Sequence, residues 1–172
     1  MSRFNPCATL DIVAWPGAER WVPTEAQRNR IACLLSRTIK VEYVPRSQVR
    51  RVWARDHGGA AMPLAPFDFR AYARPGRTTL FVDSTETQES ATWLLLHELA
   101  HVELGRNKLL RQAFRSVPKP RAYLTSDAAH ESHPEEQLAN QVADSWAHQV
   151  GIRPGLNRLW WRRQVNARRG FA

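Results

Sequence analysis

Lysine, paired cysteines and long apolar runs are what this 172-residue chain has least of. No stretch approaches the roughly 18 consecutive apolar residues that suggest a membrane-spanning helix, and the opening Met1-Ser2-Arg3-Phe4-Asn5-Pro6 has no signal-peptide hydrophobic core. The expectation is a cytoplasmic protein with no membrane partner. Cys7 and Cys33 are the whole cysteine content. They are too few for a disulfide framework and lack metal-motif spacing, so they read as small, reduced apolar fillers. With 43% apolar residues the chain can build one ordinary core.

Negative charge is also scarce relative to positive. The formal net charge is +9, carried by 22 arginines and only 3 lysines. Both halves share the excess, but the segment 151–172 is distinctive, with six arginines and no acid. There Arg158, Arg162, Arg163 and Arg168 flank Trp160 and Trp161. Arginine beside aromatics suits phosphate contact and base stacking, so this tail is the candidate nucleic-acid surface. A composition biased toward arginine, with the tryptophans packed on the domain, explains the same residues.

The chemistry that can be named lies in His97-Glu98-Leu99-Ala100-His101. Two imidazoles four residues apart share one helix face, about 5–6 Å from each other, and can clamp a single tetrahedral zinc. Glu98 then stands beside the metal, where a carboxylate takes a proton from the activated water and passes it to the leaving amine. The surroundings fit. A strand-like run, Thr79 to Val82, leads through a turn in which Thr85 and Gln88 have capping-box spacing, and Gly105 offers a helix stop. A helix from Glu86 to Leu104 is predicted, apolar nearly all round and therefore buried.

A catalytic zinc needs a third protein ligand and an open fourth position. A metzincin continuation fails, because position 104 is Leu and position 107 is Asn. Downstream, Ser132-His133-Pro134-Glu135 has the look of a helix start capped by Ser132, with the helix running to Val150 and stopped by Gly151. Along it Glu136, Ala139, Asn140, Ala143 and Ala147 fall at helical spacing, and small residues permit close approach of another helix. Glu136 is the favoured third ligand; Glu135, better explained by capping and the helix dipole, and His133 and His130 are the alternatives.

These two blocks, the strand–turn–helix of Thr78 to Gly105 and Glu136-Gln137-Leu138-Ala139-Asn140-Gln141-Val142-Ala143, resemble the ImmA/IrrE family of small metallopeptidases, a minimal branch of the gluzincins. The resemblance implies a zincin-like fold and one zinc per chain, with His97, His101 and Glu136 as ligands. It makes Glu98 the catalytic base and Asn140 a partner that orients a ligand histidine, with Asp144 one turn later as the substitute. Its implied substrate is a protein, typically a repressor with a helix-turn-helix domain.

Strands are predicted over Ala8 to Ala14 and Ile39 to Tyr43, with a hairpin from Phe67 to Asp83 through Arg74-Pro75-Gly76-Arg77. Helices are predicted from Glu25 to Arg37 and as a basic turn over Ser47 to Arg55. A sheet followed by helices gives an α+β fold: residues 1–150 the metallopeptidase domain, 151–172 a basic helix or tail. The hairpin could pair an extended substrate. Residues 116–131 form a long connection between the metal-binding helices and a candidate lid, in which Arg121, Tyr123, His130 and His133 are possible oxyanion donors. The leading reading is a zinc endopeptidase of restricted specificity. The competing readings are an SprT-like protease acting at DNA, with His133 as third ligand, and a non-catalytic zinc-containing module that binds nucleic acid or protein.

Overall fold

The computed structural model describes residues 8–56, 58–59, 71–73, 79–83, 87–120 and 127–154. Its elements are β1 (Leu10–Ala14), a short 3-10 turn (Glu19–Trp21), α1 (Glu25–Leu34), β2 (Ile39–Val44), α2 (Arg46–Asp56), β3 (Ala71–Ala73), β4 (Thr79–Asp83), α3 (Gln88–Leu104), α4 (Lys108–Ser116), α5 (Asp127–Glu131) and α6 (Pro134–Val150). The strands form one sheet in the order β1-β2-β4-β3. β2 lies parallel to both β1 and β4, and β3 runs antiparallel to β4 at the edge. The protein is thus mixed helix and sheet, as expected. The order of elements is a correction: the sheet does not simply precede the helices. Parallel neighbours need crossover connections, and α1 and α2 lie in the two that the parallel pairs require.

Alternation in β2 is what divides the core. Ile39, Val41 and Tyr43 are fully buried on the face that receives α1 and α3, where Ile31, Leu95, Leu96 and Leu99 join them. Val44 belongs to a second cluster with Val49, Val52 and Trp53 of α2 and Tyr72 of β3. Behind α3 lies α6, whose Ala139, Ala143 and Ala147 are each 0% exposed. Three alanines one turn apart let the two helix backbones approach closely, so the small-residue stripe seen in the sequence is the α3–α6 seam.

Helix boundaries shift where a different cap wins. Thr24 and Gln27 form the expected capping box on α1, which stops at Leu34 rather than Arg37. α3 starts at Gln88 because Thr87, not Thr85, accepts the Ser90 N–H at 3.2 Å. α6 is capped by His133 rather than Ser132: the His133 Nδ1 accepts the Glu135 N–H, while Ser132 Oγ donates to the Ala129 carbonyl at 2.8 Å. Gly151 ends α6 at φ 82°, the left-handed conformation that glycine tolerates. Gly105 ends α3 for another reason. Its φ is −64°, but a Cβ there would stand 3.0 Å from the His101 carbonyl oxygen. Close approach, not a left-handed turn, selects glycine.

The long connection expected between the metal-binding helices is partly helical. α4, capped by Asn107, precedes it, and α5 lies within it. Arg121, Tyr123 and the tail from Arg158 through Trp160, Trp161, Arg162 and Arg163 to Arg168 lie outside the described residues. So does Thr85. Arg153, just after α6, binds Glu89 in the first turn of α3 through both its backbone N–H and its guanidinium, with Nη2 3.1 Å from Oε2. This contact fastens the end of α6 to the start of α3 and holds the Glu89 carboxyl below its ordinary range.

Overfilling the helix seam should cost more than its chemistry suggests. Ala143→Leu is expected to destabilise the protein by about 1–3 kcal/mol through overpacking, read by urea denaturation, whereas Gln141→Leu on the exposed side of α6 should change stability by under about 0.5 kcal/mol.

Candidate metal centre

Helical spacing places His97 and His101 on the face of α3 that looks toward the first turn of α6, and Glu136 enters from that turn. Their Nε2 atoms are 3.1 Å apart. Glu136 Oε2 is 3.2 Å from His101 Nε2 and 3.3 Å from His97 Nε2. His97, His101 and Glu136 are thus a ligand set that can hold a metal ion. The edges of this triangle are informative. A tetrahedron with metal–nitrogen and metal–oxygen bonds of about 2.0–2.1 Å has ligand atoms roughly 3.3 Å apart, so the three atoms already stand at the separation that a single small ion demands. Glu136 is 5% exposed. A carboxylate is buried at this cost only with cationic or donor partners around it, and three imidazoles provide them.

Those partners set the protonation states. Burial opposes a charged imidazole at His101, yet the Glu136 carboxylate, with hydrogen bonds to Glu135 and Glu136, overrides it and pushes His101 up to about 10. Burial would also raise the Glu136 carboxyl, but the His101 charge and hydrogen bonds from His101, His130 and His97 hold it far below the usual range. Glu135 is held low chiefly by its hydrogen bond to His101.

Glu98 follows His97 and turns to the sheet. Its Oε2 accepts the backbone N–H of Ala73 at 2.7 Å, on β3, which is an edge strand among the described residues. One oxygen of this carboxylate is therefore fixed against the strand beside the ligand triangle. The hairpin of β3 and β4 expected from sequence is present in its described part, with Tyr72 opposite Phe81.

The groups around the ligands differ from the expected ones. Asp144 accepts the Trp93 indole N–H at 2.8 Å, and Trp93 stacks on His97 with ring centroids 5.5 Å apart. Asn140 Oδ1 and His97 Nδ1 are both buried and without a hydrogen-bond partner among the described residues. Neither Asn140 nor Asp144 therefore bonds a ligand histidine directly. Two other residues touch the ligands: Glu135 Oε1 lies 3.5 Å from His101 Nδ1, and His130 Nε2 lies 3.3 Å from Glu136 Oε2. The sequence offers His130 and Glu135 as alternative ligands and explains Glu135 by capping; in the structure each instead touches a residue of the ligand set. The signal that was available is adjacency: a residue next to a ligand on a helix is turned about 100° from it, far enough to reach the outer nitrogen of a facing histidine. His133, 2% exposed and committed to its cap, lies outside the ligand group.

No protein-family model, curated protein or solved structure matches this chain.

A proton balance follows from the geometry. Because the folded value at His101 lies above the ordinary 6.5, the metal-free protein carries a cationic His101 at pH 7, and the stability this provides is complete below about 6.5 and lost as pH rises through about 10. Coordination needs the neutral imidazole. Metal binding at pH 7 is expected to release about one proton from this residue, measured by calorimetry in buffers of different ionisation enthalpy; heats independent of the buffer would mean a neutral His101 in the metal-free protein.

Proposed function

We propose that this protein is a zinc-dependent endopeptidase of restricted specificity. The observation that carries the reading is the triangle of His97 Nε2, His101 Nε2 and Glu136 Oε2, with edges of 3.1–3.3 Å, next to Glu98 on the same helix. Two imidazoles and one carboxylate leave a tetrahedral ion one position short, which is the donor set of catalytic rather than structural zinc. Zinc bound there supplies Lewis acidity and an acidified water.

The chain's own residues supply the rest. His97 and His101 hold their nitrogens in place through the rigidity of α3, and Glu136 contributes the negative charge that keeps the ligand set from repelling a dication. Glu98 is the proton carrier. With Oε2 fixed by the Ala73 N–H, its other oxygen is the one that accepts a proton and returns it to the leaving amine. An extended peptide pairing with the backbone of the edge strand β3 would have its scissile bond beside Glu98. By the resemblance to ImmA/IrrE peptidases, the substrate to try first is a repressor-type regulator with a helix-turn-helix domain.

Purified protein is expected to hold about one zinc per chain, measured by elemental analysis. His97→Ala and His101→Ala should lose it, and Glu136→Ala should lose it after brief chelator treatment. Glu98→Gln should keep the metal and lose hydrolysis by a factor of at least about 10², read as the disappearance of cleaved proteins when cells carrying wild type and variant are compared by N-terminal proteomics. Full activity in Glu98→Gln, or a wild type that refuses added zinc, contradicts the reading.

A further inference from the structure

Among the described residues, each of the three ligand side chains meets an outer group of its own. His101 presents Nδ1 to Glu135 Oε1 at 3.5 Å. Glu136 receives His130 Nε2 at 3.3 Å on the oxygen that faces the two histidines. Among the described residues His97 Nδ1 has no hydrogen-bond partner, but its ring stacks on Trp93 with an interplanar angle of 23°, and Trp93 is fixed by its N–H bond to Asp144. These partners come from three different places: the first turn of α6, the short helix α5, and the core of α3. We propose that Glu135, His130 and the Asp144-held Trp93 are the positioning residues of the centre, each orienting one ligand. This inference rests on the metallopeptidase reading above.

The physical case differs for each. A carboxylate on the outer nitrogen of a ligand histidine fixes the tautomer with the proton on Nδ1 and so keeps Nε2 free as a lone-pair donor; it also makes that nitrogen a better base. Glu135 does this for His101. An N–H on a ligand carboxylate restrains its rotation and chooses which oxygen faces inward, the task of His130 on Glu136. Stacking gives His97 orientation without hydrogen bonding, since a planar ring against the buried indole, 2% exposed, has little room to rotate. The consequence is graded: losing an outer partner leaves all three ligands in the chain but lets one of them swing.

The test uses cobalt(II), whose visible d–d bands report ligand geometry, together with zinc affinity from chelator competition, on wild type, Glu135→Ala, Glu135→Gln, His130→Ala, His130→Gln and Asn140→Ala. Thermal unfolding of the metal-free forms separates loss of fold from loss of geometry. Expected are zinc affinities about 10–100-fold weaker for Glu135→Ala and His130→Ala, with altered cobalt bands. The Gln variants, which keep an oxygen acceptor at 135 and an N–H donor at 130, should recover part of both, and Asn140→Ala should weaken zinc less than Glu135→Ala or His130→Ala. Should Glu135→Ala fail to fold, Glu135→Gln and the His130 pair carry the same comparison. Wild-type affinity and bands in the Glu135 and His130 variants, or the largest effect in Asn140→Ala, would overturn the assignment of positioning residues while leaving the metal site standing. A wild type that takes up neither cobalt nor zinc would overturn the metallopeptidase reading itself, and this inference with it.

Discussion

Burying one carboxylate among three imidazoles is the constraint on which the rest of the structure depends. Glu136 sits almost entirely out of water, and an unpaired charge there would cost several kcal/mol. Its partners arrive from two helices, α3 and α5. His97 and His101 are rigid because α3 is packed on both the sheet and α6; His130 is delivered by the turn of α5 that immediately precedes the α6 cap. The alanine stripe of α6 serves this arrangement, since bulkier residues at 139, 143 and 147 would hold the helices apart and take Glu136 out of reach of both Nε2 atoms.

The same constraint explains why the sheet matters to chemistry. α3 packs against the β3–β4 edge, and the contact between Glu98 and the Ala73 N–H is the point at which the helix bearing the candidate metal ligands meets the strand proposed to hold a peptide. Glu98, the two histidines and the strand β3 thus meet next to the first turn of α6.

Much of this is legible in the sequence, and the reason is local. His97 and His101 are related by helical periodicity, a property of the backbone that no distant residue alters, and the Glu136–Ala147 stripe declares its seam through residue size. The half-buried strand at Ile39 to Val44 is equally clear from alternation. What the sequence conceals is competition among caps and outer partners. Thr85 and Thr87 offer similar hydroxyls at α3, and Ser132 is a better cap by type than His133; only the tertiary burial of His133 and the engagement of Ser132 with Ala129 decide the matter. Asn140 and Asp144 sit at helical positions suited to reach a histidine, but the large indole of Trp93 takes up the Asp144 carboxylate. The strand order β1-β2-β4-β3 is also concealed, because parallel pairing is set by long-range packing rather than by any turn.

Anomalous X-ray scattering at the zinc absorption edge, from crystals grown with zinc, tests the central claim most directly. One strong peak per chain is expected about 2.0–2.2 Å from His97 Nε2, His101 Nε2 and a Glu136 oxygen, with the remaining position held by a non-protein ligand. A peak located elsewhere, a fourth protein side chain closing the tetrahedron, or no peak between these three residues would contradict it.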